Sequence, residues 1–241
     1  FDAISRLVRL RADDADPMPT ETFRSDVDGE YVAFARTVWT TLLDRLEDAP
    51  RYDRYASLFR FDVRQILTAI EYSTVVIDSP ELATRADLDR YETHNMGMYS
   101  YLDIDLMYAD SDHAGSLSLL RDAVDAGQRM ARIGNWLSTW ERELREGDVS
   151  SGVVVTALER GLVDPEELPD PDGSADVSVA ADRLIDRIVE LDLESELLDE
   201  WNGEYRRLCT LSERSDAVDL EPFVEGTKDV LRYHLASRGF K

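Results

Sequence analysis

The sequence predicts an all-α fold, a single-domain helical bundle, and three observations carry that expectation. Apolar residues recur at intervals of three and four through six long segments, strict two-residue alternation is nearly absent, and the 241 residues are 43% apolar, enough for a substantial core. No internal repeat of fixed period appears, which sets the chain apart from helical solenoids.

Taken in order, the helical patterns are "YVAFARTVWTTLLDRL", "LFRFDVRQILTAIEYSTVVI", "MGMYSYLDIDLMYA", "LSLLRDAVDAGQRMARIGNWLSTWERELREG", "VSVAADRLIDRIVELDLESELLDEWNGEYRRL" and "LEPFVEGTKDVLRYHLA". Breaks are expected where Pro, Gly, Asp and Ser gather, at "DDADPMP", "DAP", "DSPELATRADL", "ADSDHAG" and "VDPEELPDPDGSADVS". The last is the longest polar stretch, and residues 164–178 read as a mobile loop. About eight to ten helices follow, counting short ones.

Composition removes several classes of partner. The formal charge is −24, with Lys228 and Lys241 the only lysines, and both nucleic acids and anionic membranes reward the opposite balance. Carboxylates spread evenly along the chain fit adaptation to high salt, where screening relieves their mutual repulsion. Cys209 stands alone, so neither an internal disulfide nor a cysteine zinc site can form, and a cytoplasmic location is expected. No apolar run reaches the length of a membrane span, and the start at Phe1 without Met suggests a piece of a longer natural sequence. His94, His113 and His234 show no metal-ligand spacing and read as incidental, while Cys209 reads as core.

The segment "GNWLSTWERELREGDV" places Asn135, Thr139 and Glu143 four residues apart, and on a helix those three side chains share one face. An amide, a hydroxyl and a carboxylate are hard oxygen donors suited to Mg²⁺, although the same trio can also lie on a solvated face. Trp136, Leu137 and Trp140 beside it suggest a stripe aimed into a bundle.

This segment resembles the second metal-binding motif of class I terpene synthases, Asn-Asp-x-x-Ser/Thr-x-x-x-Glu, with Trp136 in place of the second-position Asp. The continuation "ERELREGDVSSGVVVTAL" is similar to the family as well. Upstream, Gly97 of "YETHNMGMYSYLDIDLM" matches the family's helix-break Gly, 38 residues before Asn135. Thr93 stands where the diphosphate-sensing Arg is expected, with Arg90 a turn earlier as a substitute. Near the C-terminus, Arg232 and Tyr233 resemble the Arg-Tyr pair that closes over diphosphate, chemistry suited to a forked guanidinium. The first, Asp-rich metal motif is degenerate: Asp2 of "FDAISRL" is the preferred candidate, with Ala3 and Arg6 where further Asp residues often sit. Asp13, Asp14 and Asp16 of "RADDADP" offer an alternative, which also reads as an acidic solubility loop ended by Pro17.

The resemblance spans nearly the whole chain and implies a bacterial or archaeal class I terpene synthase, a carbon–oxygen lyase acting on phosphates, with a central apolar cavity. Three Mg²⁺ ions would be held by Asn135, Thr139, Glu143 and Asp2. Arg90, Arg142, Arg232 and Tyr233 would meet the diphosphate of a prenyl diphosphate, farnesyl or geranylgeranyl, and Gly97 would transmit its arrival. Arg142 reads equally as a surface ion-pair partner. Phe59, Phe61, Tyr72, Tyr99, Tyr101, Trp136 and Trp140 are candidates for cavity walls or ordinary core. A homodimer is among the assemblies this leaves open. The alternative is a non-catalytic relative that keeps the fold after its metal site has decayed.

Overall fold

The computed structural model describes residues 29–169 and 177–238, in which every regular element is an α-helix or a 3₁₀ turn. Asp2 and the Asp13–Asp16 cluster lie outside the described residues. Nine α-helices are found there: α1 Gly29–Glu47, α2 Tyr52–Asp78, α3 Arg85–Tyr91, α4 Met98–Tyr108, α5 Leu117–Arg145, α6 Gly152–Glu159, α7 Val177–Glu190, α8 Leu193–Glu213 and α9 Glu221–Ala236. No helix among the described residues is long and apolar enough to cross a membrane.

Helix α5 is the central stave. Helices α8 and α9 pack most extensively along it, and α4, α6, α7 and the turn Glu92–Met96 complete the ring. Its buried residues recur on nearly all sides, from Leu120 and Ala123 through Met130, Ile133, Trp136 and Leu137 to Trp140 and Leu144, as a helix surrounded by others requires. Two glycines set how closely its neighbours approach. A Cβ on Gly127 would stand 2.6 Å from Cζ of Phe223 on α9, and one on Gly152 of α6 would stand 2.5 Å from Cε3 of Trp136.

Local chemistry accounts for the boundaries. Thr84 caps α3 by accepting the Asp87 N–H at 3.1 Å, and Ser151 caps α6 by accepting the Val154 N–H at 3.3 Å. Between α3 and α4 the chain makes a 3₁₀ turn, Glu92–Met96, and reverses at Gly97, whose φ of 68° lies in the left-handed region that glycine tolerates best. The expected break at Gly97 is therefore present.

Two expectations are corrected. The pattern over 177–208 reads as one helix but is divided by Asp192 at φ 54° into α7 and α8. An Asp tolerates that conformation better than its apolar neighbours, so periodicity runs unbroken across a bend. The stretch 78–88, read as a break, contains a 3₁₀ turn at Pro80–Leu82 and the start of α3. Of the stretch 164–178, read as a mobile loop, residues 165–167 form a 3₁₀ turn with an Asp164–Glu167 capping box, and residues 170–176 lie outside the described residues.

A buried charge cluster ties α2, α4 and α5 together. Asp62 accepts two bonds from Arg121, at 2.7 and 3.0 Å, and the Arg121 guanidinium lies 4.3 Å from the Tyr99 ring centroid. Asp103 is fully buried beside them, 3.8 Å from Arg121, with neither carboxyl oxygen hydrogen-bonded to a donor of another group. Burial pushes its carboxyl up to about 8, and the neighbouring Asp62 carboxylate pushes the same way against Arg121.

Two predictions follow from this packing. Because Asp103 holds its proton more tightly folded than unfolded, its contribution to stability is complete below about pH 4 and is lost as pH rises through about 8. Asp103→Asn is expected to flatten the fall in melting temperature between pH 5 and 9, which thermal melts across that range measure. Gly152→Ala forces its new methyl into the Trp136 ring and is expected to destabilise the fold by about 1–3 kcal/mol in denaturant titrations.

Candidate functional site

The site is built on one stripe of α5, where Arg132, Asn135, Thr139 and Glu143 follow one another at helical spacing. The helix lies in the middle of the bundle, so the stripe faces protein over most of its length. Thr139 is 4% exposed, and the Glu143 side chain is 19% exposed. The three residues singled out from the sequence are thus brought to one partly buried face.

Asn135 Oδ1 accepts from Arg132 Nη1 at 2.9 Å, and Thr139 Oγ1 donates to the Asn135 carbonyl at 2.8 Å. Burial pushes the Glu143 carboxyl up, with the Thr139 hydroxyl beside it pulling down and Asp148 adding to the rise. Glu92, from the turn before Gly97, completes the arrangement. It is fully buried, accepts from Arg132 Nη2 with one oxygen and from the Ser73 hydroxyl of α2 with the other. Its carboxyl is pushed up by burial, while Arg132 pulls down.

Glu92 and Glu143 therefore each feel both the Arg132 guanidinium and the Asp148 carboxylate. Among the described residues no three His, Cys, Asp or Glu side chains converge as a metal-binding group. A cation at this face would be held by a mixed amide, hydroxyl and carboxylate set. Those donors fit Mg²⁺ in kind, since it accepts neutral oxygens together with one carboxylate and water. The raised carboxyl of Glu143 fits too, because a cation would offset the cost of its burial.

Below the stripe, Trp136 and Trp140 are both fully buried. Trp136 has two guanidiniums near its ring, Arg132 at 5.2 Å and Arg85 at 4.8 Å from the centroid, and Gly152 packs closely against the same indole. Trp140 donates to Glu194 of α8 at 2.7 Å.

Other expected site residues are placed differently. Arg90 is exposed and pairs within its own helix with Asp87 at 3.6 Å, and Arg232 is exposed and pairs with Asp229 at 2.9 Å. Tyr233 is 68% exposed. These bonds turn Arg90 and Arg232 along their helix surfaces rather than into the stripe. Arg142 makes the surface ion pair that its sequence allows, to Glu146 at 2.6 Å, and lies 3.5 Å from Glu143. Thr93 is buried, donates to the Asp89 carbonyl at 3.1 Å and borders a polar pocket of ≈220 Å³ with Arg85, Asp89, Arg129 and Glu200.

Of the aromatic candidates, Phe59 joins Trp136 and Trp140 in the core, whereas Phe61 is 46% and Tyr101 68% exposed, so neither is an interior wall. Tyr72 and Tyr99 are half-buried, and Tyr99 stacks on His94 at 5.7 Å. The histidines are less incidental than the sequence suggests: His234 bonds Ser138 at 3.0 Å and fastens α9 to α5. Cys209 is half-buried against the core rather than within it.

Arg132, Glu92, Ser73 and Arg85 went unread in the sequence. Arg132 was accessible, since it precedes Asn135 by three residues on the same stripe. Glu92 and Ser73 were not, because their pairing depends on how α2 and the turn before α4 dock on α5.

Removing Glu92 alone would leave Arg132 buried without its carboxylate. Glu92→Leu is expected to cost about 3–5 kcal/mol, and the double change Glu92→Leu with Arg132→Met to recover most of it, in a double-mutant cycle of unfolding free energies. The chain matches no protein-family model, no curated protein and no solved structure.

Proposed function

We propose that the protein is a Mg²⁺-dependent class I terpene synthase-like enzyme that ionises an allylic prenyl diphosphate, farnesyl or geranylgeranyl, to a carbocation that is then cyclised or rearranged. The observation that carries this reading is the conjunction of two features. Asn135, Thr139 and Glu143 lie on one partly buried face of α5, and a left-handed glycine breaks the preceding helix at Gly97, the position the resemblance gives it.

The reaction separates a diphosphate from an allylic carbon, so negative charge grows on the departing oxygen while positive charge spreads over the hydrocarbon. On this reading Asn135, Thr139 and Glu143 would hold Mg²⁺, with Asp2 the further ligand that the resemblance implies. Such ions would supply positive charge against the leaving group's developing negative charge. Arg142, near the C-terminal end of α5 and bordering Glu143, and Arg132, near its middle and anchored by Glu92, add fixed positive charge along the stripe. Arg90, Arg232 and Tyr233 are the further diphosphate donors and would have to turn inward from their surface pairs. The indoles of Trp136 and Trp140 pack the floor beneath the stripe and keep water from that side of it.

A second reading has its own supporting observation. Asn135 Oδ1 and the Thr139 hydroxyl already have partners within α5, and Thr93 stands where a sensing Arg is expected. A fold retained as a binding or structural protein after its metal chemistry decayed would look this way.

One assay separates them. The purified protein, in high salt with Mg²⁺, is incubated with geranyl, farnesyl and geranylgeranyl diphosphates while diphosphate release and extractable products are followed. The enzyme reading expects release with one of the longer substrates that falls about 10²-fold or more in Glu143→Ala, and is lost without Mg²⁺. Absence of release from a folded protein with all three substrates would establish the non-catalytic reading.

A further inference from the structure

A cleft of ≈430 Å³ lies between the N-terminal half of α5, helix α4 and the start of α9, well away from the Asn135 stripe. Val124 on its wall precedes Asn135 by eleven residues, roughly 16 Å along the helix axis. Its apolar lining is presented by Met98, Leu102, Val218 and Phe223, each partly exposed, and is backed by Leu106, Leu120 and Ala123 at 3%, 4% and 1% exposure. Phe223 forms one wall, and its ring tip occupies the space that a Cβ on Gly127 would take, so the wall is pinned to α5. Tyr101 stands at the rim, 68% exposed.

Size and lining suit a small molecule, since ligand sites are concave, mostly apolar and of about 300–1,000 Å³. The polar groups decide which kind. They include the carboxylates of Asp105 and Asp219 and the ring of His113, with neither Lys nor Arg among the described lining residues. Asp219 is fixed by accepting the Glu221 N–H at 3.0 Å, and His113 is fixed by Ser111 at 3.1 Å. An anion entering this cleft meets two carboxylates and finds no guanidinium or ammonium, whereas an amine finds both acceptors at the mouth of an apolar chamber. The diphosphate of the reading above is thereby an unsuitable occupant, and the inference holds whether or not the Asn135 stripe is catalytic.

We propose that this cleft is a binding site for a small cationic amphiphile, whose apolar body packs on Leu102, Val218 and Phe223 while its amine lies against Asp105 and Asp219.

Three probes with one naphthyl body test it: 2-(2-naphthyl)ethylamine, 2-(2-naphthyl)ethanol and 2-naphthylacetate, titrated by fluorescence anisotropy at the lowest salt that keeps the protein folded. The amine is expected to bind about fivefold to tenfold tighter than the alcohol, and the carboxylate weakest. Replacing the exposed pair, Asp105→Lys with Asp219→Lys, is expected to reverse the order of amine and carboxylate and leave the alcohol nearly unchanged. Circular dichroism verifies the fold of that variant. Val124→Phe fills the chamber and is expected to abolish binding of all three probes. The proposal is overturned if no probe saturates, if charge reversal leaves the order intact, or if sedimentation shows the cleft closed by a second copy that the amine does not displace.

Discussion

A helix that carries Arg121, Gln128 and Arg132 into a bundle can pack only where its neighbours answer those groups, because an unpaired buried charge costs several kcal/mol. Helix α5 meets that condition by borrowing from three places. Asp62 of α2 answers Arg121, Glu92 of the turn before α4 answers Arg132, and the Met98 N–H at the head of α4 donates to Gln128 at 3.2 Å. The apolar core alone would allow α2 and α4 to slide or rotate against α5. The charge pairs fix their register, and the break at Gly97 is what lets Glu92 reach inward while Met98 starts a new helix.

The same constraint explains why the candidate site sits where it does. A polar stripe that is paired at Arg132 and partly open at Glu143 becomes a place where solvent, a cation or an anionic ligand can meet protein donors without breaking the core. Arg132 lies at the boundary: it completes the buried pair with Glu92 on one side and orients Asn135 on the other. The candidate site is thus an extension of the interior charge pairing toward the end of the bundle.

Much of the bundle was legible in the sequence because three- and four-residue periodicity survives in α1, α2, α5 and α9, whose ends fall close to the expected breaks. The Asn135–Thr139–Glu143 face was legible for the same reason, since helical spacing fixes it without knowledge of any neighbour. What escaped was non-local or conformationally quiet. Asp192 bends the chain without a Pro or Gly to mark it, and Glu92 and Ser73 acquire meaning only through docking across 40 and 59 residues from Arg132. The outward turn of Arg90 and Arg232 was hidden because an Arg in sequence does not reveal whether an acidic residue three positions away holds it on the surface.

Trp136, which stands where the resemblance leads one to expect an Asp, has a consequence for how this chain can change. Its ring fills the room left by Gly152 and has the guanidiniums of Arg85 and Arg132 over it. Placing Asp at 136 would open a hollow against Gly152, while enlarging position 152 first would collide with the indole. Neither single step is neutral, so positions 85, 132, 136 and 152 are coupled: the order in which substitutions arrive matters, and a large side chain can be locked in by a glycine on a different helix.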